Sequence, residues 1–298
     1  SYLNALSEKY STLINIKPTL GPDRREQELF GFTLSTWDLG GQEIYRKNYI
    51  REKTKFFVSV NTLFFLVDVQ DEARFEEAFK YLEQILDIFK ELEERPNMVV
   101  CWHKYDPDIR DDPEYEARIE KLEKRLFDAL GDDFNARTFK TSIFDKWTLL
   151  RAFSQGVVAG SPKTIVIESQ LKDFTRKTFS SAVMLLDSNH LVIGSHASVK
   201  ELYNILEAIA PHASFASEKL RKYDIMTEDI VLTLTPGDYY SDLLQGKEMV
   251  VLFSPIKIGD AFFSILALTR NPKTRKLMLK HGKKLSSLLG DIIKSFYF

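Results

Sequence analysis

The stretch Trp37-Asp38-Leu39-Gly40-Gly41-Gln42 is the part of the sequence that decides the fold. The residues before it, 30–38 (FGFTLSTWD), alternate with a period of two, which predicts a strand. An acid, two glycines and an amide therefore stand where a strand ends. In open parallel sheets, ligands bind at the carboxyl ends of the strands, so this stretch is a candidate site. A tight turn between strand and helix is the alternative interpretation of the same residues.

Strand and helix patterns alternate on the C-terminal side of that stretch. Apolar or alternating runs predict strands at residues 62–69, 97–102 and 136–141, the first of them covered on both faces. Helical spacing predicts helices at residues 71–94 and 112–130. The second helix opens with a capping Asp112 and Pro113, and Gly131 closes it. Strands separated by crossover helices indicate an α/β fold with a doubly wound, mostly parallel sheet.

Three residue types at the end of the first strand have separate candidate roles. We expect Asp38 to hold Mg²⁺ through water, because Mg²⁺ keeps much of its hydration shell in proteins. Gly41 has no side chain, so its backbone N–H can closely approach a γ-phosphate. The side-chain amide of Gln42 can orient an attacking water.

Other polar clusters lie near the ends of the predicted strands. In His103-Lys104-Tyr105-Asp106, the Asp106 carboxylate can accept the two N–H donors of a guanine edge, and the Lys104 stem can cover the ring. The backbone N–H groups of Thr141-Ser142 can meet a carbonyl oxygen of a base, and the Thr19 hydroxyl can ligate Mg²⁺. A polar loop, a helix cap and a plain loop are the respective alternatives. The order of the clusters along one predicted sheet edge favours a nucleotide site.

The pattern changes beyond the segment 156–163 (GVVAGSPK), whose glycines and proline indicate a domain boundary. We expect one domain at residues 1–160 and a second at 161–298. The second is predicted to be an α+β domain with an antiparallel sheet. Its predicted strands are 164–169, 181–187, 190–195, 229–235, 248–255 and 262–268, and its predicted helices are 199–210 and 272–296.

Composition excludes several classes of protein. The 298 residues are 44% hydrophobic and 28% charged, which is typical of globular domains rather than of disorder. The net charge of -2 favours no nucleic-acid partner. The single cysteine, Cys101, excludes an intramolecular disulfide and suits a reducing compartment such as the cytoplasm. No apolar run approaches the ~20 residues of a membrane span.

The order of the motifs resembles the Ras-like superfamily, and within it the Rag/Gtr GTPases. The stretch at 37–42 resembles their W-D-x-G-G-Q motif, and His103-Lys104-Tyr105-Asp106 resembles their H-K-x-D, where most small GTPases have Asn in place of His. Thr141-Ser142-Ile143-Phe144-Asp145 resembles T-S-I-W-D, with Phe for Trp. The resemblance implies a domain of the P-loop NTPase, small GTPase type followed by a roadblock/longin-like dimerisation domain.

The resemblance also implies cofactors and roles. It implies that GTP or GDP binds together with Mg²⁺. Thr19 and Asp38 are the implied metal-binding residues, and Gln42 is the implied catalytic residue. The nucleotide-binding positions are implied to be Thr19, Asp38, Gly41, His103, Lys104, Asp106, Thr141, Ser142 and Ile143. The phosphate loop G-x-x-x-x-G-K-[ST] occurs nowhere in the 298 residues. Because residues 1–6 resemble the helix after that loop, we expect an N-terminal truncation just beyond it.

The implied activity is slow GTP hydrolysis in a regulatory switch. Implied partners are a related GTPase subunit bound through the C-terminal domain, activating and exchange proteins, and a membrane-tethered scaffold. The implied location is the cytoplasm, peripheral on an endomembrane through that scaffold. Two alternatives stay open. One is a non-hydrolysing pseudo-GTPase that acts as a dimerisation scaffold. The other is an Arf-like trafficking GTPase, against which His103 and the long C-terminal region count.

Overall fold

The chain divides into two compact units, Ser1–Val157 and Val158–Phe298. A computed structural model describes residues 21–29, 32–110, 112–158, 162–187, 190–225, 229–237, 248–258 and 261–297. Each unit has its own sheet and its own buried apolar residues. The candidate sequence motifs all belong to the first unit, so that unit positions the candidate site.

The motif at 37–42 follows a two-stranded antiparallel ladder. Strands β1 (Pro22–Leu29) and β2 (Phe32–Leu39) pair so that Asp38 lies opposite Asp23 and Leu39 opposite Pro22. The sequence pattern predicted β2 but placed it in the parallel sheet, which is wrong for the described residues. The physical reason is that neighbouring strands joined by a short connection pair locally in the antiparallel sense. Residue 30, where the predicted strand began, lies outside the described residues.

The parallel sheet of the first unit contains β3 (Thr62–Asp68), β4 (Asn97–His103) and β5 (Ala136–Thr141), in the order β3-β4-β5. The prediction of an α/β fold with a parallel sheet is confirmed. Central β4 is buried from Met98 to His103, because neighbours cover both of its faces. The same expectation for β3 is wrong, since Leu66 is 39% exposed.

Helices connect these strands. They are α1 (Glu43–Arg51), α2 (Lys53–Phe57), α3 (Phe75–Glu91, after a 3₁₀ turn at Glu72–Arg74), α4 (Pro113–Leu130) and α5 (Lys146–Val158). The predicted start of α4 is confirmed: the Asp112 carboxylate accepts the Glu114 N–H at 2.9 Å, and Pro113 is the first helical residue. The crossovers β3-α3-β4 and β4-α4-β5 bring the ends of β4 and β5 to one edge.

A glycine lets α5 approach the sheet closely. A Cβ atom added to Gly156 would lie 2.3 Å from Cζ of Phe64. The Gly156 carbonyl accepts the Thr62 hydroxyl at 2.7 Å, and the Phe64 ring stacks on Phe153 with centroids 5.8 Å apart. The sequence pattern interpreted Gly156 as part of a linker, but the residue lies within α5, where the missing side chain makes room for the Phe64 ring.

The second unit is built on a five-stranded antiparallel sheet. Its elements are α6 (Pro162–Thr178), β6 (Ala182–Asp187), β7 (Val192–Ala197), α7 (Lys200–Lys222), β8 (Ile230–Leu234), β9 (Met249–Ile258), β10 (Ala261–Thr269) and α8 (Arg275–Tyr297). The strand order is β7-β6-β10-β9-β8. All six residues of β6 are buried, which requires cover on both faces of the sheet. Helices α6 and α8 pack against each other, and α7 packs against β6 and β10.

Residues 164–169 form part of helix α6, so the predicted strand there is wrong. The run Ile165-Val166-Ile167 has high β propensity, but Ile165 is 62% exposed. Burial instead follows helical spacing through Ile167, Leu171 and Phe174. Pro162 at the first helical position starts the helix.

Helix α7 continues through Pro211, whereas the sequence pattern ended it at residue 210. The apolar and small residues on its buried face keep helical spacing across the proline, from Leu206 through Ala210 to Ser214 and Ser217. An interior proline costs about 3 kcal/mol, so packing of this face outweighs that cost here. Strand β7 lies two residues further along the chain than predicted.

Candidate functional site

The loops that follow β4 and β5 meet at one edge of the parallel sheet. The Tyr105 N–H donates to the Thr141 carbonyl at 3.0 Å, and the Val69 N–H donates to the His103 carbonyl at 3.0 Å. Lys104 has a φ of 61°, the left-handed conformation that β-turn-like reversals use. The backbone therefore reverses just after His103 and turns Asp106 toward the loop after β5.

Both oxygens of the Asp106 carboxylate accept hydrogen bonds. The Ser142 hydroxyl donates to Oδ1 at 2.5 Å, and the Gln70 side-chain amide donates to Oδ2 at 3.3 Å. Gln70 also donates to the Lys104 carbonyl at 2.8 Å. A carboxylate offers about four lone-pair positions, so two neighbouring donors leave room for others. A half-buried carboxylate held in this way can accept two parallel N–H groups of a flat ligand.

Lys104 pairs with an acid at the end of the neighbouring strand. Its ammonium lies 2.5 Å from Oδ2 of Asp68, and the Asp68 Oδ1 accepts the Gln70 N–H at 3.1 Å. The Lys104 side chain is 54% exposed, so its stem stays accessible while the charged end is fixed. We call Asp68, Gln70, Lys104, Asp106 and Ser142 the β3–β5 cluster.

His103 is buried next to the cluster and is neutral. Its Nδ1 lies 3.0 Å from the Thr141 hydroxyl, and both residues are buried. Burial lowers the pKa of the His103 imidazole to about 4, although the charges of Asp106 and Asp68 act in the opposite direction. The imidazole is therefore neutral at pH 7 and adds no positive charge beside Asp106.

Ser142 contributes its hydroxyl rather than its backbone N–H. Its N–H donates to the Thr148 hydroxyl at 3.0 Å, and the predicted use of that N–H for a ligand carbonyl stays a prediction. Its Oγ accepts the Phe144 N–H at 3.1 Å, which closes a turn containing half-buried Ile143. Arg110 lies 2.8 Å from the Asp145 carboxylate and links the two loops.

The motif at 37–42 lies on the β1–β2 ladder and not on the parallel sheet. Asp38 is half-buried, while Gly41 and Gln42 are exposed at the start of α1. Among the described residues, apart from its chain neighbours, none has an atom within 4 Å of a Cβ built on Gly41, so that part of the structure leaves the space beside it open. The Gly40 N–H donates to the buried Tyr49 hydroxyl at 3.1 Å. Thr19 lies outside the described residues.

Sequence reasoning missed the contacts that Gln70 and Asp68 make in this cluster. Asp68 is the last residue of β3, the strand next to β4, and Gln70 follows two residues later, so the rule that placed Asp106 at a strand end would also have found them. Among the residues that the structure describes, no group of three His, Cys, Asp or Glu side chains is arranged to hold a metal ion. In that same part of the chain, no helix is both long and apolar enough to cross a membrane.

Comparison with known proteins gives a family match. A family model described as the Gtr1/RagA G protein conserved region matches residues 11–227. The chain is 29% identical over 175 residues to GTP-binding protein gtr1 of Schizosaccharomyces pombe, covering 57% of this chain and 54% of that protein. It is 22% identical over 175 residues to Ras-related GTP-binding protein A of Dictyostelium discoideum, covering 58% of this chain and 56% of that protein.

The chain spans about half the length of these curated relatives. Among solved structures, Myxococcus xanthus MglB aligns with 47% of this chain and 96% of its own, at 15% identity and a TM-score of 0.36.

Proposed function

The chain belongs to the Gtr1/RagA family of GTP-binding proteins, and on that premise we propose that it is a regulatory switch that binds guanine nucleotide at the β3–β5 cluster. The observation that carries this proposal is the Asp106 carboxylate, half-buried and held by Ser142 and Gln70 with lone pairs to spare. A guanine edge presents two adjacent N–H donors, which fit such a carboxylate. The neutral His103 beneath it leaves the negative charge of Asp106 available to those donors.

Selectivity for guanine follows from the same contacts. Adenine presents an acceptor where guanine presents an N–H, so it would leave a partly buried carboxylate without its partner. The Lys104 stem, fixed at its charged end by Asp68, can lie along the face of the base. Half-buried Ile143 and the turn after Ser142 would bound the base on the other side.

We propose that the motif at 37–42 contacts the triphosphate of the bound nucleotide. Bound GTP supplies the scissile phosphate and Mg²⁺ supplies charge neutralisation. Asp38 offers the hard carboxylate oxygen that Mg²⁺ takes, directly or through water, and Thr19 is proposed as its second ligand. Exposed Gln42 is proposed to orient the attacking water, and the open space at Gly41 leaves its N–H accessible to a phosphate. Because no arginine of the chain is assigned to the reacting phosphate, we propose that hydrolysis is slow until a partner activates it.

The second unit is proposed to be a roadblock/longin-like dimerisation domain that pairs with a related GTPase subunit. Its separate sheet and core support a binding role distinct from the nucleotide site. Activating and exchange proteins would act on the first unit. A membrane-tethered scaffold would hold the pair at an endomembrane from the cytoplasmic side, and no nucleic acid is involved.

Competition binding tests this function. A fluorescent GDP analogue is bound to the full-length protein with Mg²⁺ and displaced with unlabelled GTP, GDP or ATP. Displacement by the guanine nucleotides at concentrations at least about a hundredfold lower than ATP supports the proposal. Equal displacement by ATP would contradict guanine selectivity. Binding without any turnover in the presence of activating partners would favour the pseudo-GTPase scaffold instead.

A further inference from the structure

The second unit has a polar cleft between the end of α6 and strand β7. The cleft has a volume of about 300 Å³, and each of its eight lining residues is charged, hydroxylated or an imidazole. We call it the α6–β7 cleft. It lies at the small end of the range for ligand pockets, which are usually lined by apolar groups. Here the lining residues are polar in type, although most of the surface they present to the cleft belongs to their carbon atoms. The charged ends of Lys172 and Arg176 favour an anionic ligand.

Positive charge predominates on the lining. Lys172 and Arg176 project from α6, and Asp173 is the one acid among the eight lining residues. Asp173 pairs with Arg176 at 2.9 Å through a single nitrogen, which leaves most of the guanidinium donors unused. In the described part of the chain, no carboxylate lies within 4.0 Å of the Lys172 ammonium. Two cations against one carboxylate leave a net positive lining.

His196 lines the cleft together with these charged residues. It lies on β7, opposite Val183 of β6, and is half-buried. Burial is the larger cause that lowers the pKa of its imidazole, and the positive charge of Lys172 is the second. Lys172 and His196 line the same cleft, so the ammonium is close enough to act on the imidazole.

Hydroxyl groups complete the set of donors. The Ser198 N–H donates to the Ser181 carbonyl at 2.9 Å, which places these two serines side by side at the cleft. Within the described ranges, neither hydroxyl has a hydrogen-bond partner. The other two lining residues are Thr175, whose hydroxyl donates to the Lys172 carbonyl at 2.7 Å, and Ser180, whose hydroxyl pairs with that of Thr178 at 2.8 Å. Hydroxyls, a guanidinium, an ammonium and an imidazole line one small volume. A tetrahedral anion accepts hydrogen bonds from several such donors.

We propose that the α6–β7 cleft binds a phosphate monoester, supplied either by a soluble phosphate ester or by a phosphorylated lipid headgroup. The C-terminal end of α6 carries a partial negative charge of about half a unit, which opposes an anion. The charges of Lys172 and Arg176 exceed this partial charge and that of Asp173. A bound dianion would also favour protonation of His196, which adds a third cation. The cleft belongs to the second unit, so this inference does not depend on the proposed nucleotide site.

Histidine NMR on the nucleotide-free full-length protein tests the proposal. Inorganic phosphate is titrated at pH 7 against sodium chloride at matched ionic strength, and His196→Gln identifies the His196 signal. We expect a saturable shift of that signal and an increase of about one unit in its pKa. Lys172→Met should weaken binding by about tenfold, while Lys276→Met, at an exposed position of α8 that does not line the cleft, should leave it unchanged.

A second measurement separates the two sources of phosphate. Phosphatidylcholine vesicles with and without phosphatidylinositol 4-phosphate are sedimented with the protein and with its Lys172→Met variant. Binding that needs both the phosphorylated lipid and Lys172 identifies a lipid headgroup. A saturable phosphate effect without vesicle binding identifies a soluble ester. The proposal is overturned if neither ligand gives a saturable effect, if chloride reproduces the shift, or if the two lysine variants behave alike.

Discussion

Acid should destabilise the first unit through one buried histidine. Burial lowers the pKa of His103 to about 4 in the folded chain, against 6.5 for the free side chain. The folded state therefore favours the neutral imidazole. Between pH 6.5 and pH 4 the unfolded chain binds a proton at this residue that the folded chain does not bind. The contribution of His103 to stability is complete above pH 6.5 and is lost as the pH falls toward 4.

The size of the effect follows from those two values. Between pH 7 and pH 5 the free energy of unfolding should fall by about 2 kcal/mol from His103 alone. That loss is a substantial fraction of the 5–15 kcal/mol that typically stabilises a domain. Below about pH 4 both states carry the proton, so the His103 contribution stops changing.

Urea unfolding at pH 7 and pH 5 measures this loss. All three tryptophans, Trp37, Trp102 and Trp147, lie in the first unit, so their fluorescence reports that unit selectively. His103→Asn removes the titrating group, and the pH-dependent loss should be about 2 kcal/mol smaller in this variant than in the parent. His212→Asn, an exposed histidine of the second unit, serves as the control and should match the parent. Equal losses in the parent and in His103→Asn would refute the reasoning.

Three further predictions concern packing, hydrolysis and assembly. Gly156→Ala should destabilise the first unit by about 1–3 kcal/mol, because its Cβ would overlap the Phe64 ring. Gly41→Ala, with open space around it, should cost less in the same urea assay, and equal costs would contradict the packing argument. Gln42→Leu in the full-length protein should bind GTP normally but hydrolyse it more slowly with an activating partner; an unchanged partner-stimulated rate would exclude Gln42. Residues 158–298 expressed alone should fold and dimerise in size-exclusion chromatography with light scattering, and a monomer in every mixture with candidate partners would defeat that assignment.

Sequence patterns predicted the elements whose signals are local. Helix α4 is defined by its own Asp112 and Pro113, and strand β4 by a short apolar run that is buried on both faces. The sequence patterns gave wrong predictions where packing between residues distant in sequence determines the secondary structure. The Ile165-Val166-Ile167 run forms a helix because its burial follows α6 packing, and Pro211 does not end α7 because the buried face continues past it.

The same distinction applies to the candidate site. The strand-end rule was enough to select Lys104, Asp106 and Ser142, because parallel strands bring their carboxyl ends to one edge. It could not give the side-chain contacts that orient them. Those contacts come from Asp68 and Gln70, more than thirty residues away in sequence, and their rotamers depend on the assembled sheet.

Base selection by Asp106 is the most direct test of the central claim. In the full-length protein, Asp106→Asn exchanges a carboxylate that accepts two N–H groups for an amide that suits xanthine. We predict that this variant loses at least about a hundredfold in GTP affinity and gains preference for xanthosine triphosphate, while the nearby exposed Asp108→Asn keeps the parent's affinity. An Asp106→Asn variant that binds GTP as tightly as the parent would contradict the assignment of the β3–β5 cluster as a guanine site.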